Sequence, residues 1–422
     1  MTPRARTPSA TLAASIGILA SLAAHSPIGR AQSCPTRWDS TPGIIGTDTA
    51  VNATLPLPSG DIVVGGLFNT AGGVMTHHIA RYRPSTNAWF TYGSGFSSGG
   101  VLALTTTASG DLVAGGFSFN GNTSGFISRW NAATSTWATT PNIGATVHAL
   151  LTMPDGSIIV GSTTSAAAPA PISPIGKYNP ATGVWSAWNF DFGVHVYALV
   201  RAANGDVYAA GTHLQRLDAA TNTWSPITPP DSGILTTLSI LPGGDLITAV
   251  SSAPNNGIWR MNIGTGVWSR MGPAMTAQGG SYAISPAGDL YACGFFVVNS
   301  MLTSFIKWDP IAEVWSIVPG APPPSGIVTE DADAVVLPNG DFLLSGRFIY
   351  TMGGPTTHNL VLWTTRPTCA ADFNCSGALD NQDVFDFINA WFNADPRTDF
   401  NRAGGPEVSD IFDFLNAWFA GC

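Results

Sequence analysis

The stretch Gly110-Asp111-Leu112-Val113-Ala114-Gly115-Gly116, followed by Arg129-Trp130-Asn131-Ala132-Ala133-Thr134-Ser135-Thr136-Trp137, decides the fold. Its first half is a tight turn running into an apolar strand. Such a turn needs positive φ, which glycine adopts freely and Asn or Asp partly tolerates. Its second half reads as a third strand, an Asx-type turn and a fourth strand that opens with tryptophan. The turn recurs at Gly60-Asp61, Gly156-Ser157, Gly205-Asp206, Gly244-Asp245, Gly288-Asp289 and Gly340-Asp341. The seven glycines are separated by 50, 46, 49, 39, 44 and 52 residues. A period of this size with four strands per repeat is one propeller blade.

The second half recurs as well: basic residue, large apolar residue, Asn or Asp, and then Trp. Arg81-Tyr82 leads to Trp89, Lys177-Tyr178-Asn179 to Trp185, and Arg216-Leu217-Asp218 to Trp224. Arg260-Met261-Asn262 leads to Trp268 and Lys307-Trp308-Asp309 to Trp315. A large flat side chain at this place fills the wedge between blades. The seventh repeat stops early. Trp363 lies 23 residues after Gly340, matching Tyr82 and Tyr178, which lie 22 after their glycines, and no Trp-bearing fourth strand follows. Trp38 precedes Val51 by 13 residues, as Trp89 precedes Val101 by 12. The segment around Trp38 is therefore expected to complete the last blade and remove its open edge. The expected fold is an all-β, seven-bladed propeller closed by the N-terminal strand, with a small all-α module behind it.

Composition supports this. Of 422 residues only 10% are charged, whereas glycine (47) and tryptophan (14) are abundant, which suits short strands and tight turns. A formal charge of −9 argues against nucleic acid and anionic membranes as partners. Arg4 and Arg6, the apolar run Leu12–Ala24, and Gly29 and Ala31 read as an export signal over 1–31, cleaved after Ala31. No later segment approaches twenty apolar residues, so no membrane span is expected. Export makes disulfides plausible. Cys293 falls inside a strand and is expected to be a free, buried thiol. Cys34, Cys369, Cys375 and Cys422 are the disulfide candidates, and spacing does not choose among their three pairings.

These blades resemble kelch-type repeats, with diglycines at Gly65-Gly66 and Gly115-Gly116 and then the aromatic-Asn-Pro-x-Thr-x-x-Trp run. The resemblance covers most of 51–363 and implies architecture, because propellers serve unrelated roles. The domains expected are 1–31 as leader, 32–366 as propeller and 367–422 as a distinct module.

Residues 369–422 hold nine Asp/Glu and two Arg. Asp383-Val-Phe-Asp-Phe-Ile-Asn-Ala-Trp-Phe392 recurs as Asp410-Ile-Phe-Asp-Phe-Leu-Asn-Ala-Trp-Phe419. A twelve-residue candidate calcium loop precedes each copy. In the first, Asp372, Asn374, Ser376, Ala378, Asp380 and Asp383 occupy loop positions 1, 3, 5, 7, 9 and 12, with Gly377 at the sharp turn. In the second, Asp399, Asn401, Gly405, Glu407 and Asp410 do so, but Ala403 offers no side-chain oxygen at position 5. Two Ca2+ sites are expected, the second weaker. The tandem resembles a dockerin, in detail the dockerin-like modules of exported bacterial proteins that end in Gly-Cys, as Gly421-Cys422 does. The resemblance implies calcium-dependent docking onto a cohesin-like receptor or the cell envelope. It also implies partner choice by loop positions 10 and 11, here Asn381, Gln382, Val408 and Ser409. Trp391 and Trp418 read either as core residues or as an exposed docking face.

No catalytic constellation appears: no His-Glu-x-x-His and no phosphate loop. His77-His78 on an extended chain would point to opposite faces. Eight residues before each turn glycine stand Asn52, Leu102, His148, Tyr197, Thr236, Gly280 and Ala332. They are expected near the start of the inner strands, rimming the channel, with His148 and Tyr197 able to meet a sugar. The reading is a secreted or cell-surface, non-catalytic binding or display protein. The propeller would recognise a glycan or protein, and the tail would attach the whole. The alternative is a polysaccharide-active or carbohydrate-binding component recruited through its dockerin. A second alternative is a galactose-oxidase-like copper oxidase. It is weakened because Cys293 is the only propeller cysteine past Cys34 and no matching His-Tyr set accompanies it.

Overall fold

The computed structural model describes residues 37–39, 46–84, 86–118, 124–140, 143–164, 174–187, 193–231, 233–252, 254–321, 332–337, 340–350, 357–364, 371–374, 379–401 and 405–421. Seven four-stranded antiparallel sheets follow one another along the chain. Blade 1 holds Val51–Pro56, Ile62–Gly66, Ile79–Arg83 and Ala88–Thr91. Blades 2 to 6 repeat this order from Gly100, Ala145, Val196, Ser239 and Thr276. Blade 7 takes three strands from one end of the chain, Asp333–Val336, Phe342–Tyr350 and Thr357–Thr364, and its outer strand, Arg37–Asp39, from the other. Trp38 pairs with Trp363 in register. The innermost strands of blades 7 and 1 are also in contact, which closes the ring.

Local chemistry sets each blade. Gly60, Gly110, Gly156, Gly205, Gly244, Gly288 and Gly340 all sit at φ between 80° and 96°. At each, the main chain closes the same two-bond turn, as Gly60 N to Leu57 O (2.9 Å) and Leu57 N to Asp61 O (2.8 Å) do in blade 1. The Asx turns form as the sequence predicts. The Asn131 side chain accepts from Ala133 N and Thr134 N, and the Asp218 side chain from Ala220 N and Thr221 N. The large apolar residue of the third strand faces the Trp of the fourth directly, as Tyr82 faces Trp89 and Trp130 faces Trp137.

Among the described residues the core is divided. Seven apolar clusters lie one between each pair of neighbouring blades, and an eighth belongs to the C-terminal module. The repeat tryptophans tie this packing to the backbone. Trp137 Nε1 donates to Tyr92 O, Trp268 Nε1 to Thr228 O and Trp315 Nε1 to Met271 O, each in the segment leaving the preceding blade. The basic residue of the third strand and the Asp of the Gly-Asp turn form an ion pair. In blade 1 Asp61 pairs with the repeat's Arg81 (3.5 Å) and more closely with Arg83 (2.8 Å); Arg129 pairs with Asp111 (2.6 Å), Arg216 with Asp206 (2.8 Å) and Lys307 with Asp289 (2.7 Å). Blade 3 has Ser157 after its glycine, and Lys177 pairs with Asp155 instead (2.8 Å).

Two helices end the chain, α1 (Asn381–Phe392) and α2 (Val408–Ala420). Asp380 caps α1, its side chain accepting from Gln382 N at 2.8 Å, which satisfies an end donor the helix itself leaves unpaired. Among the described residues no helix is long and apolar enough to cross a membrane. The leader, Cys34, Cys369, Cys375 and Cys422 lie outside the described residues, as do Ser376 and Ala378. Cys293 lies in the strand Leu290–Val298, buried and free.

Candidate functional site

Two regions carry the candidate residues. In the C-terminal module, the stacked rings of Phe387 and Phe414, 4.0 Å apart and 6° from parallel, form the centre, with Ala371 and Phe373 buried beside them. The duplicated sequence makes a duplicated hydrogen-bond frame. The Asp383 carboxylate accepts from Asn374 N (3.1 Å) and Asp380 N (3.0 Å). Asp410 repeats this with Asn401 N (2.9 Å) and Glu407 N (2.7 Å). The position-12 carboxylates thus hold together positions 3, 9 and 12 of each loop. The side-chain amides of Asn374 and Asn401 donate to Asp386 and Asp413. Asp372, Asp383, Asp399 and Asp410, at the two ends of the two loops, are all buried, the least so being Asp372 at 6% exposure. Gly405, whose carbonyl would be the position-7 donor, has φ 134°.

Trp391 and Trp418 take the core reading. Both pack on the buried ring cluster, and each braces the opposite repeat: Trp391 Nε1 donates to Glu407 O and Trp418 Nε1 to Asp380 O, both at 3.0 Å. The exposed aromatics are others. Phe385 and Phe392 on α1, and Phe412 and Phe419 on α2, are 63% to 78% exposed. Seven residues separate the members of each pair, about two helical turns, so each pair shares one outward face. This spacing was in the sequence, but the only aromatics weighed there as a docking face were the Trp residues beside it. Asn381, Gln382, Val408 and Ser409 are also exposed, at the starts of the helices.

The second region is the ring itself. Asn52, Leu102, His148 and Tyr197 are the residues skipped at β-bulges in the inner strands of blades 1 to 4, and Gly280 lies in the bulge of blade 6. Thr236 and Ala332 fall just before the inner strands of blades 5 and 7. His148 and Tyr197 meet edge to face at 4.8 Å, and His195 stacks on Tyr197 at 5.3 Å. Burial, helped by nearby His195, pushes the His148 imidazole down to about 4, so it is neutral at pH 7. His195 Nδ1 lies 3.1 Å from Thr163 Oγ1. His77 and His78 are not extended: their φ angles are 49° and 73°, so alternation along a strand does not describe them. Cys293 packs among Tyr291, Phe305 and Phe342 in the core between blades 6 and 7, and burial raises its thiol pKa. Among the described residues no three His, Cys, Asp or Glu side chains gather as a metal-ligand group.

A third feature was not foreseen. A cavity of about 580 Å3 lies where the segment joining α1 to the second loop meets the base of blades 6 and 7.

Residues 39–173 match the family described as the Rax2 C-terminal beta propeller domain. No curated protein matches the chain. Among solved structures, 899 chains match, so the fold is widespread and says little of activity. One is the extracellular domain of a one-component system from B. thetaiotaomicron, 11% identical, TM-score 0.51, over 78% of this chain and 40% of that one. This chain therefore spans well under half the length of that structure. Another is a fungal alcohol oxidase of the AA5 family in complex with copper, 14% identical, TM-score 0.55, over 78% of this chain and 76% of that one. At these identities the likeness is one of fold.

Proposed function

We propose that the protein is an exported, non-catalytic binding or display protein whose kelch-like propeller is carried by a calcium-dependent, dockerin-like tail. One observation carries the reading: a tightly braced acidic module presents two equivalent pairs of exposed phenylalanines, Phe385 with Phe392 and Phe412 with Phe419. A solvent-exposed aromatic pair repeated by duplication is poor surface chemistry unless a partner covers it. The loops suit calcium. Each supplies buried carboxylates at positions 1 and 12, and a divalent cation would offset the cost of burying that charge. The main-chain hydrogen bonds to Asp383 and Asp410 hold those carboxylates in place. Asp372, Asn374, Ser376, Ala378, Asp380 and Asp383 would hold one ion. Asp399, Asn401, Gly405, Glu407 and Asp410 would hold a second, weaker one. The partner is a cohesin-like protein or an envelope component with apolar pockets for the phenylalanines and a basic rim facing the acidic module. The B. thetaiotaomicron neighbour is an extracellular domain, which agrees with an exported propeller.

Calorimetric titration of the full chain with calcium tests the ions. Two binding events are expected, with Asp383→Ala removing the tighter and Asp410→Ala the weaker. Capture of an envelope receptor on the immobilised chain is expected to need calcium and to be lost in the Phe392→Ser/Phe419→Ser double variant. A titration without heat and a capture indifferent to chelator would sink the reading.

A further inference from the structure

The cavity at the foot of blades 6 and 7 belongs to neither the docking helices nor the channel rim. Its volume, about 580 Å3, lies within the ~300–1,000 Å3 typical of small-molecule sites. One wall is the propeller base, with Asp289, Tyr291 and Lys307 of blade 6 and Trp363 of blade 7. The other wall is the short segment after α1, including Asp395 and Arg397. Pro396 approaches Gly340 of the blade 7 turn there.

The lining chemistry selects a ligand class. Tyr291 and Trp363 are ring neighbours at 5.3 Å and give the floor an aromatic edge. Lys307 lies over Tyr291 at 5.6 Å and pairs with Asp289 at 2.7 Å. Across the cavity Arg397 pairs with Asp395, also at 2.7 Å. Each wall thus carries one cation and one carboxylate, and the site is neutral overall. An anionic ligand would meet Asp289 and Asp395, and a cationic one Lys307 and Arg397. A wholly apolar ligand would bury two ion pairs without replacing their water, at a cost in desolvation. A neutral polyol with one C–H face suits all three features. Its hydroxyls both donate to the carboxylates and accept from the ammonium and guanidinium groups, and its apolar face lies on the rings.

We propose that this seam between propeller and C-terminal module binds a short segment of a neutral polysaccharide. The bound sugar touches both parts of the molecule, so it also strengthens their contact. The site stands apart from calcium: failure of the metal reading appears in the calcium titration, and failure of this one in the sugar titration.

The test is calorimetry and tryptophan fluorescence on the full chain, in calcium-containing buffer, with soluble cello-, xylo-, manno-, laminari- and galacto-oligosaccharides and a glucuronate-containing oligosaccharide as the charged control. Saturable binding to at least one neutral series is expected. Asp395→Ala and Lys307→Met are each expected to weaken it roughly tenfold, about 1.4 kcal/mol, with the far-ultraviolet spectrum unchanged. Binding to none of the neutral series, or tighter binding of the acidic sugar, overturns the proposal. So does binding that survives Asp395→Ala and Lys307→Met and disappears in Tyr197→Ala, which would place the sugar at the channel rim.

Discussion

At the scale of single residues, the diglycines of blades 1 and 2 show how closely neighbouring strands approach one another. A side chain at Gly115 would meet Val147 of the next blade at 2.6 Å, and one at Gly116 would meet the Gly100 carbonyl oxygen at 1.9 Å. These positions are small because the neighbouring inner strand passes against them, whereas Gly183 has open space around it. Gly115→Val is expected to lower stability by ~1–3 kcal/mol through overpacking. Gly183→Asn, at φ 72°, is expected to change it by less than ~1 kcal/mol, since Asn tolerates that region. Urea unfolding of the two variants side by side checks both. His148 gives the pH prediction. Burial holds its pKa at about 4 in the fold, below the ~6.5 of an unfolded chain. The unfolded state therefore binds the extra proton first. Stability is full above pH ~6.5 and falls as the pH drops toward about 4. Thermal unfolding midpoints measured across that window are expected to flatten in His148→Phe.

At the scale of elements, the strand Arg37–Asp39 does the most for its length. Its three residues pair with the outer edge of Thr357–Thr364, and without them blade 7 would present that edge to solvent. Deleting residues 32–39 is expected to lower the thermal midpoint by several degrees and to make the chain associate at higher concentration. Light scattering during the melt reads the second effect, and an unchanged monomer with an unchanged midpoint would contradict it. The helices teach a different lesson. Their amphipathic spacing was readable, but the division of labour among their aromatics was not. Trp391 and Trp418 read in sequence either as core residues or as a docking face, and their indole N–H groups brace the opposite repeat, which is the core role. Phe392 and Phe419, next to them in the chain, and Phe385 and Phe412, two turns earlier, lie outside the core that Phe387 and Phe414 centre.

At the scale of the whole molecule, polar chemistry is sorted by end. The ion pairs of the Gly-Asp turns gather at the base, where the first strand of each blade turns into the second. His77, His78, His195 and His213 lie in segments at the opposite end, where first strands begin and second strands finish. The blade count, the split seventh blade, the Asx turns, the buried thiol and the duplicated tail were all legible in the sequence. Each is a local rule: a positive-φ glycine, a period-2 strand or an Asx cap acts within a few residues and repeats with the chain. The partner of each turn aspartate, the bracing role of the tryptophans, the exposure of the four phenylalanines and the cavity at the seam were decided only by the tertiary structure. They depend on which surfaces meet across tens of residues, and that is fixed by packing whole blades and helices against one another rather than by any local preference.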